Sequence, residues 1–244
     1  MGRLFVVGIG PGNASLRTAQ AEDAVRQSDL IVGYPAYLDL AADLIQDKET
    51  FTTPMRGETA RCRRALEEAQ AGKTVSLLCS GDAGVYGMAS PVLELAEDYP
   101  DADVEIVPGI TAALSGAAVL GAPLANDFCV VSLSDLLTPW NVIERRLRAA
   151  ALGDFALVLY NPSSRKRKDH LRRACDILLA NGKGGDTACG YVRQIAREGQ
   201  EAVLCTLAEL REAEVDMTTT VFVGTKETRR QGGKLITPRG HHDL

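Results

Sequence analysis

The stretch LFVVGIGPGN, residues 4–13, joins a short apolar run to a turn rich in glycine. Residues 4–7 are continuously apolar, which is typical of a strand that is buried on both faces of a parallel sheet. Similar runs recur along the chain, and segments of helical periodicity separate them. This alternation predicts an α/β protein with mainly parallel sheets.

Two halves of similar length follow from the positions of these segments. Strands are predicted at residues 4–7, 30–32, 75–79, 104–107, 129–133, 156–160, 187–191, 203–205 and 220–223, with helices near 16–28, 59–72, 87–97, 111–120, 140–151, 168–181 and 207–213. Thr206 and Glu209 form a capping box before the last helix. Residues 121–127 lack periodicity, so we predict two α/β domains, residues 1–122 and 123–244.

Composition excludes several classes of protein. The 244 residues are 45% hydrophobic and 24% charged, which excludes wholesale disorder, collagen-like repeats and coiled coils. The net charge of -5 has the wrong overall sign for a dedicated nucleic-acid binder. The apolar run at 4–7 is too short for a signal peptide, and no run is long enough to span a membrane. We expect a soluble protein with no nucleic-acid or membrane partner.

Cysteine and histidine positions argue against a metal site held by the protein. The six cysteines form no CxxC pair, and four of them lie in predicted strands, namely Cys79, Cys129, Cys189 and Cys205. This pattern is typical of small core residues in a reduced, cytoplasmic protein. His170 stands alone, and His241 and His242 lie in a tail.

The turn after the first strand superficially matches a dinucleotide fingerprint. However, Asn13 stands where GxGxxG needs a glycine, and the second strand ends in Gly33-Tyr34-Pro35 without an acid for a ribose. The sequence therefore does not predict a nicotinamide-binding Rossmann domain. The alternative, that these glycines only form a tight turn, stays open.

Two further strand ends in the first half are also rich in small residues. SGDAGVYGMA follows the third strand at 80–89, and PGITAA follows the fourth at 108–113. Ligands bind beyond the carboxyl ends of parallel strands, and Asp82 could accept a hydrogen bond from a ribose hydroxyl or an amine. The alternatives are a helix cap at Asp82 and close helix packing at the small residues.

Together these segments resemble the tetrapyrrole methylases, the S-adenosylmethionine methyltransferases that build sirohaem and cobalamin. GIGPG at 8–12 and VPGITAA at 107–113 match signatures of the whole class, and with TTTVFVG at 218–224 the resemblance spans nearly the whole chain. GDAGVYGMA at 81–89, SLSDLLTPW at 132–140 and LYNPSSRKR at 159–167 look more like one branch, the C-17 methyltransferases of precorrin-3B and cobalt-factor III.

The resemblance implies two α/β domains with the active site in the cleft between them, a homodimer, S-adenosylmethionine as methyl donor and a tetrapyrrole as substrate. It also implies which residues line the donor pocket: Gly10, Pro11, Gly12, Ser80, Gly81, Asp82, Val85, Thr111, Ala112, Tyr160, Asn161, Thr219 and Thr220.

A corrin precursor carries several carboxylates, so its pocket should contain arginine or lysine. The candidates are Arg56, Arg61, Arg63, Arg64, the run 165–168 (RKRK) and Arg193. For those on helices, a solvated surface is the alternative. Arg193 directly follows a strand and is the best single candidate, with Ser134 and Arg56 as further substrate-binding residues.

Methyl transfer itself needs placement rather than a nucleophilic side chain. The reaction of the resembled branch also contracts the macrocycle, and that step needs proton transfers. Ser132, Asp135, Tyr86 and Tyr191 are the predicted catalytic residues, although Asp135 could instead cap a helix. The function hypothesis is C-17 methylation with ring contraction. The alternatives are a sister methylase acting at another carbon and a non-catalytic sensor of the donor or of a tetrapyrrole.

Overall fold

The computed structural model describes residues 2–54, 56–164 and 167–240. The chain forms two compact units, Met1–Ala112 and Ala113–Leu244. The division lies before the predicted domain boundary at residue 122 because the helix at Ala112–Leu120 packs on a strand of the second unit.

The first unit is built around five parallel strands. The strands are β1 (Gly2–Gly8), β2 (Leu30–Gly33), β3 (Glu49–Thr52), β4 (Thr74–Cys79) and β5 (Ala102–Val107). The helices are α1 (Ala19–Gln27), α2 (Pro35–Leu40), α3 (Ala42–Ile45), α4 (Glu58–Gln70) and α5 (Ala89–Ala96). The sheet order is β3-β2-β4-β1-β5 and every pairing is parallel, which confirms the prediction for this half.

Strand β1, which lies between β4 and β5, is buried on both faces of this sheet. Leu4 and Val6 of β1 pack into the core cluster that contains Leu66 of α4, while Phe5 and Val7 pack into a second cluster on the side of α1. The continuous apolar run at residues 4–7 therefore follows from two covered faces. Strand β3 is the least buried and most polar of the five, which is why hydrophobicity did not predict it.

The second unit contains a larger set of strands. They are β6 (Gly121–Ala122), β7 (Phe128–Ser132), β8 (Ala156–Tyr160), β9 (Ala188–Arg193), β10 (Glu201–Thr206), β11 (Thr219–Val223), β12 (Arg229–Gln231) and β13 (Lys234–Ile236). The helices are α6 (Ala112–Leu120), α7 (Trp140–Leu152), α8 (His170–Ala180) and α9 (Leu207–Arg211). The predicted capping box forms at α9, where the Thr206 and Glu209 side chains bond each other's backbone N–H groups.

The prediction of a mainly parallel sheet is wrong for this unit. Its main sheet has the order β10-β9-β11-β8-β7, and only the β7–β8 pairing is parallel. Residues 194–200 connect β9 to β10, and a link this short forms a hairpin because a parallel crossover needs a dozen or more residues. The strands are nevertheless buried as parallel strands would be, so hydrophobicity alone did not reveal their direction.

Helix α6 explains the position of the division between the units. A Cβ on Gly116 would lie 2.8 Å from the Phe222 ring, so only glycine allows α6 to pack this closely on β11. Lys234 donates to the Val119 carbonyl, and β13 pairs with β6 directly after the helix. The helix therefore belongs to the second unit, together with the segment that the sequence assigned to the boundary.

All six cysteines are free thiols, and the four assigned to strands lie in β4, β7, β9 and β10 as predicted. Burial raises the pKa of Cys62 and Cys205 to about 11 and that of Cys79 and Cys175 to about 12. These four thiols therefore stay protonated at neutral pH. Within the described ranges, no helix has the length and apolar character needed to cross a membrane.

Candidate functional site

Three strand ends of the first unit meet through their backbones. The Gly10 N–H donates to the Gly81 carbonyl at 3.1 Å, and the Gly81 N–H donates to the Gly10 carbonyl at 2.7 Å. A Cβ on Gly109 would lie 2.2 Å from the Gly81 carbonyl oxygen and 2.5 Å from that of Gly8. We call Gly8, Gly10, Gly81 and Gly109 the glycine junction. It brings the carboxyl ends of β1, β4 and β5 into contact.

The carboxylate of Asp82 ties this junction together. Its Oδ1 accepts from the Gly84 N–H at 2.8 Å and the Val85 N–H at 3.1 Å. Its Oδ2 accepts from the Gly109 N–H at 2.9 Å, which links the segment after β4 to the turn after β5. Helix α5 begins at Ala89 with Met88 as its N-cap, so Asp82 is not the cap of that helix.

The nine donor-pocket residues predicted in this unit lie beyond the same three strand ends. They are Gly10, Pro11 and Gly12 after β1, Ser80, Gly81, Asp82 and Val85 after β4, and Thr111 and Ala112 after β5. A Cβ on Gly81 would lie 3.7 Å from the Thr111 Cα, so two of these turns touch at that point. The structure therefore gathers residues that are up to 102 positions apart in the sequence, from Gly10 to Ala112.

Two further predicted residues of this unit have left-handed backbone. Tyr86 has a φ of 55°, which is a strained conformation for a bulky residue, and its side chain is exposed. Arg56 has a φ of 71° and is exposed beyond the end of β3. Such strain is found at functional sites more often than elsewhere, and the catalytic role of Tyr86 stays a prediction.

The second unit places its predicted residues along one edge of its main sheet. Ser132 lies opposite Tyr160 where the parallel strands β7 and β8 end. Because β11 is antiparallel to β8, with Val221 opposite Leu159, β11 begins at this edge. Thr219 lies opposite Arg193 at the end of β9. Thr219 and Thr220 therefore lie at this edge at the start of a strand. The rule that ligands bind beyond the carboxyl ends of parallel strands considers only residues that follow a strand.

Side-chain hydrogen bonds connect the residues at this edge. Ser132 Oγ accepts from Asn161 Nδ2 at 3.0 Å and from the Ser134 N–H at 3.2 Å. Arg167 Nη1 donates to Ser134 Oγ at 2.6 Å and lies 3.5 Å from Asp135 Oδ1. The predicted residues Ser132, Ser134 and Asp135 are therefore held by one network that Arg167 completes.

Two neighbours fix this network to the helices around it. The Tyr160 hydroxyl accepts from the Ala113 N–H at 2.8 Å, in the first turn of α6. His170, which the sequence indicated to be alone, lies with its Nε2 3.6 Å from Asp135 Oδ2. No pattern in the sequence predicts that Asp135 and His170 are neighbours. Asp135 follows β7 and His170 follows β8, and these parallel strands end at the same edge of the sheet.

Arg193 is the last residue of β9, rather than a residue after the strand, and its guanidinium already has partners within the chain. Its Nη1 donates to Glu201 Oε2 at 3.0 Å, and its Nη2 donates to the Glu214 carbonyl. Its guanidinium also lies 5.4 Å from the centre of the Tyr191 ring. Burial raises the pKa of Tyr191, so this phenol stays protonated well above neutral pH.

The other basic candidates divide into structural and surface groups. Arg61 is buried and donates to Thr53 Oγ1 at 2.6 Å, while Arg64 forms an ion pair with Glu68. Lys168 lines a cavity of about 630 Å³ in the second unit together with Ser164 and Thr218. The predicted candidates Arg165 and Lys166 lie outside the described residues, as do His241 and His242. Within the part of the chain that the structure describes, His, Cys, Asp and Glu form no group of three that could hold a metal ion.

The sequence model of one protein family matches residues 3–211 of this chain. That family is the Tetrapyrrole (Corrin/Porphyrin) Methylases. The chain belongs to it and is a methyltransferase.

Individual relatives agree with this assignment. A protein of Salmonella typhimurium named "Probable cobalt-factor III C(17)-methyltransferase" is 47% identical over 239 residues, covering 98% of this chain and 99% of the relative. The crystal structure of the methyltransferase CobJ has a TM-score of 0.89 and 37% identity, covering 98% of this chain and all of that one. Uroporphyrin-III C-methyl transferase from Thermus thermophilus, complexed with S-adenyl homocysteine, shares the fold with a TM-score of 0.71, 24% identity, and coverage of 91% of this chain and 92% of that one.

Proposed function

We propose that this protein transfers a methyl group from S-adenosylmethionine to C-17 of cobalt-factor III or precorrin-3B and contracts the macrocycle, in the biosynthesis of cobalamin. The observation that carries the proposal is the 47% identity to a relative named for C-17 methylation, over nearly the whole of both chains. A sister methylase acting at another carbon is disfavoured because the structures named for other tetrapyrrole methylases are only 20–24% identical.

The residues of the first unit fit the methyl donor. The glycine junction packs backbone against backbone: a Cβ would lie 2.7 Å from a main-chain atom at Gly8, 2.4 Å at Gly10 and 2.2 Å at Gly109. This packing fixes the three turns that carry the proposed donor residues of this unit. Residues 10–12, 80–82, Val85, Thr111 and Ala112 are the proposed donor residues of this unit. Those proposed in the second unit are Tyr160, Asn161, Thr219 and Thr220. The bound donor supplies an electrophilic methyl group, and the chain orients it and excludes water.

We call the network of Ser132, Ser134, Asp135, Asn161 and Arg167 the polar edge of the second unit. Its groups fit the anionic macrocycle. Ser134 and Arg167 offer a hydroxyl and a half-buried guanidinium, and Lys168 lies nearby in the chain with its charge exposed. Arg193 and Arg56 remain proposed substrate residues, although Arg193 would have to exchange its contacts with Glu201 and Glu214 for a substrate carboxylate. Ser132, Asp135, Tyr191 and Tyr86 are the proposed proton-transfer groups of the ring contraction.

Product analysis tests the function. The purified protein is incubated with methyl-deuterated donor and, separately, with cobalt-containing and metal-free precursors, and the products are examined by mass spectrometry and NMR. We expect a singly methylated, ring-contracted product that carries the label at C-17. Label at another carbon would identify a sister methylase, and tight donor binding without turnover would identify a sensor.

We also propose that the protein is a cytoplasmic homodimer, as the family resemblance implies. Light scattering at micromolar concentration should give twice the mass of one chain. A monomer that retains full turnover would contradict the dimer.

A further inference from the structure

His170 is buried between the residue 133–135 segment and α7. Its Nδ1 lies 2.8 Å from the Leu133 carbonyl oxygen, and its ring centre is 4.7 Å from that of Trp140. Only 4% of the residue is exposed. The Leu133 N–H in turn donates to the Tyr160 carbonyl at 2.8 Å, so the backbone that holds the imidazole is itself anchored to β8.

These contacts determine which nitrogen carries a proton. A carbonyl oxygen only accepts hydrogen bonds, so Nδ1 must be the donor to Leu133. A neutral ring would then direct the lone pair of Nε2 toward Asp135 Oδ2, which is 3.6 Å away. A second proton on Nε2 converts this unfavourable approach into an ion pair with the carboxylate.

Asp135 is held on one side and open on the other. His170 lies beside its Oδ2 and Arg167 beside its Oδ1, while 36% of the aspartate side chain is exposed. The next two residues, Leu136 and Leu137, are 62% and 98% exposed, so an apolar surface lies directly beside the open carboxylate. A charged group fixed next to exposed apolar side chains is suited to a flat macrocycle with polar substituents.

We propose that His170 is a positioning residue that holds Asp135 for proton transfer during the ring contraction, an inference that rests on the proposed function. In this step an O–H or C–H bond of the macrocycle breaks, its electron pair stays with the macrocycle, and the proton bonds to a carboxylate oxygen of Asp135. The protonated imidazole keeps that carboxylate in the orientation in which its open side faces the substrate.

Two other charged groups lie around the imidazole and Asp135. Asp135 faces the imidazole directly, and Arg167 reaches the opposite oxygen of the same carboxylate. Arg173 lies 3.9 Å from the centre of the Trp140 ring and 4.0 Å from Asp169, so its charge is shared with those groups.

Two amide variants separate positioning from folding. In His170→Asn the amide nitrogen replaces Nδ1 and can still bond Leu133, but the side chain no longer reaches Asp135 Oδ2. In His170→Gln the amide nitrogen replaces Nε2 and can still hold Asp135. We expect His170→Asn to lower kcat about tenfold while KM for both substrates changes by less than about twofold, because the lost contact acts on the chemical step. His170→Gln should retain most of kcat.

The pH profile supplies a readout that a purely structural role would not change. The wild-type kcat should fall as the pH rises, because the contact between Nε2 and Asp135 is lost when the imidazolium loses its proton. This fall should be absent in His170→Gln because an amide does not titrate. Unchanged kcat in His170→Asn, or the same alkaline fall in both proteins, would overturn the inference.

A measurement on the folded wild type covers the case in which a variant does not fold. Nitrogen-15 NMR of labelled histidine should show both nitrogens of His170 protonated at neutral pH, and Asp135→Asn should remove the proton from Nε2. A singly protonated His170 in the wild type would overturn the inference. Wild-type protein that makes no C-17 product would instead overturn the proposed function, while the NMR result would still show whether Asp135 and His170 form an ion pair.

Discussion

The two units form their binding edges by different means. In the first unit, the glycine junction brings together backbone atoms at the ends of β1, β4 and β5. The Asp82 carboxylate accepts hydrogen bonds from backbone N–H groups there. In the second unit, side chains such as Ser132, Asn161 and Arg167 bond one another. A surface made of backbone depends on shape and excludes any added side chain, whereas a surface made of side chains can be altered one group at a time. We therefore propose that the first edge mainly binds the donor and that the second edge mainly contacts the substrate.

The largest effect is expected at Gly109. In Gly109→Ala the new methyl group would lie 2.2 Å from the Gly81 carbonyl oxygen, and backbone on both sides cannot move aside. We expect a loss of about 3 kcal/mol or more in the free energy of unfolding, together with loss of donor binding. Urea denaturation and calorimetry with S-adenosylmethionine measure both quantities.

Gly185→Ala is the matched control in the second unit. The atoms nearest to its new Cβ are Ala208 Cβ at 3.7 Å and Leu179 Cδ2 at 4.0 Å, which is ordinary contact. Its free energy of unfolding should change by less than about 1 kcal/mol. Equal losses in the two variants would show that the junction is no tighter than an ordinary turn.

A smaller effect is expected for Asp82→Asn. An amide has one oxygen, so it cannot accept from both Gly84 and Gly109, and one backbone N–H then faces an NH₂ group. We expect a cost of about 1–3 kcal/mol in unfolding free energy and weaker donor binding, measured as above. Asp103→Asn, which breaks an exposed pair with Arg3, should cost less than about 1 kcal/mol. Wild-type donor affinity in Asp82→Asn would remove this carboxylate from the donor edge.

Two arginine variants compare predicted substrate contacts within the second edge. Arg167→Lys removes the paired donors that reach Ser134 and Ser164, so we expect the kcat/KM for the tetrapyrrole to fall about tenfold while donor affinity is unchanged. Arg193→Lys should have a smaller effect, since Arg193 is occupied by Glu201 and Glu214. The opposite ranking would show that Arg193 releases these contacts to bind the substrate, as predicted from the sequence.

The smallest effect concerns acid stability. Burial raises the pKa of Asp216, but hydrogen bonds from Thr218 and Thr219 outweigh it, and the net pKa lies below the usual value. The carboxylate therefore stabilises the fold above its unfolded pKa, and this contribution disappears as the pH falls through the lower folded value. Because Asp216 is exposed, we expect less than about 1 kcal/mol. Wild type and Asp216→Asn should differ in urea midpoint at pH 7 and converge in acid. A constant difference would exclude the carboxylate charge as the cause.

The sequence determined the features that depend on local pattern. Apolar runs located the buried strands, and the glycines after β1, β4 and β5 indicated the first edge because a glycine turn is recognisable from neighbouring residues alone. The Thr206 capping box was predicted for the same reason. The family resemblance added Thr219 and Thr220, which no strand-end rule would have chosen.

Only the tertiary structure decided strand direction and long-range pairing. A strand buried on both faces is apolar whether it runs parallel or antiparallel, so the mixed sheet of the second unit was not readable from hydrophobicity. The partners Asp135 and His170 are 35 positions apart and meet through the ends of β7 and β8. The ion pair between Arg193 and Glu201 likewise forms only because the two residues lie opposite each other in the β9–β10 hairpin. A residue's type states which contacts it can make, but only the folded chain determines which partner lies within reach.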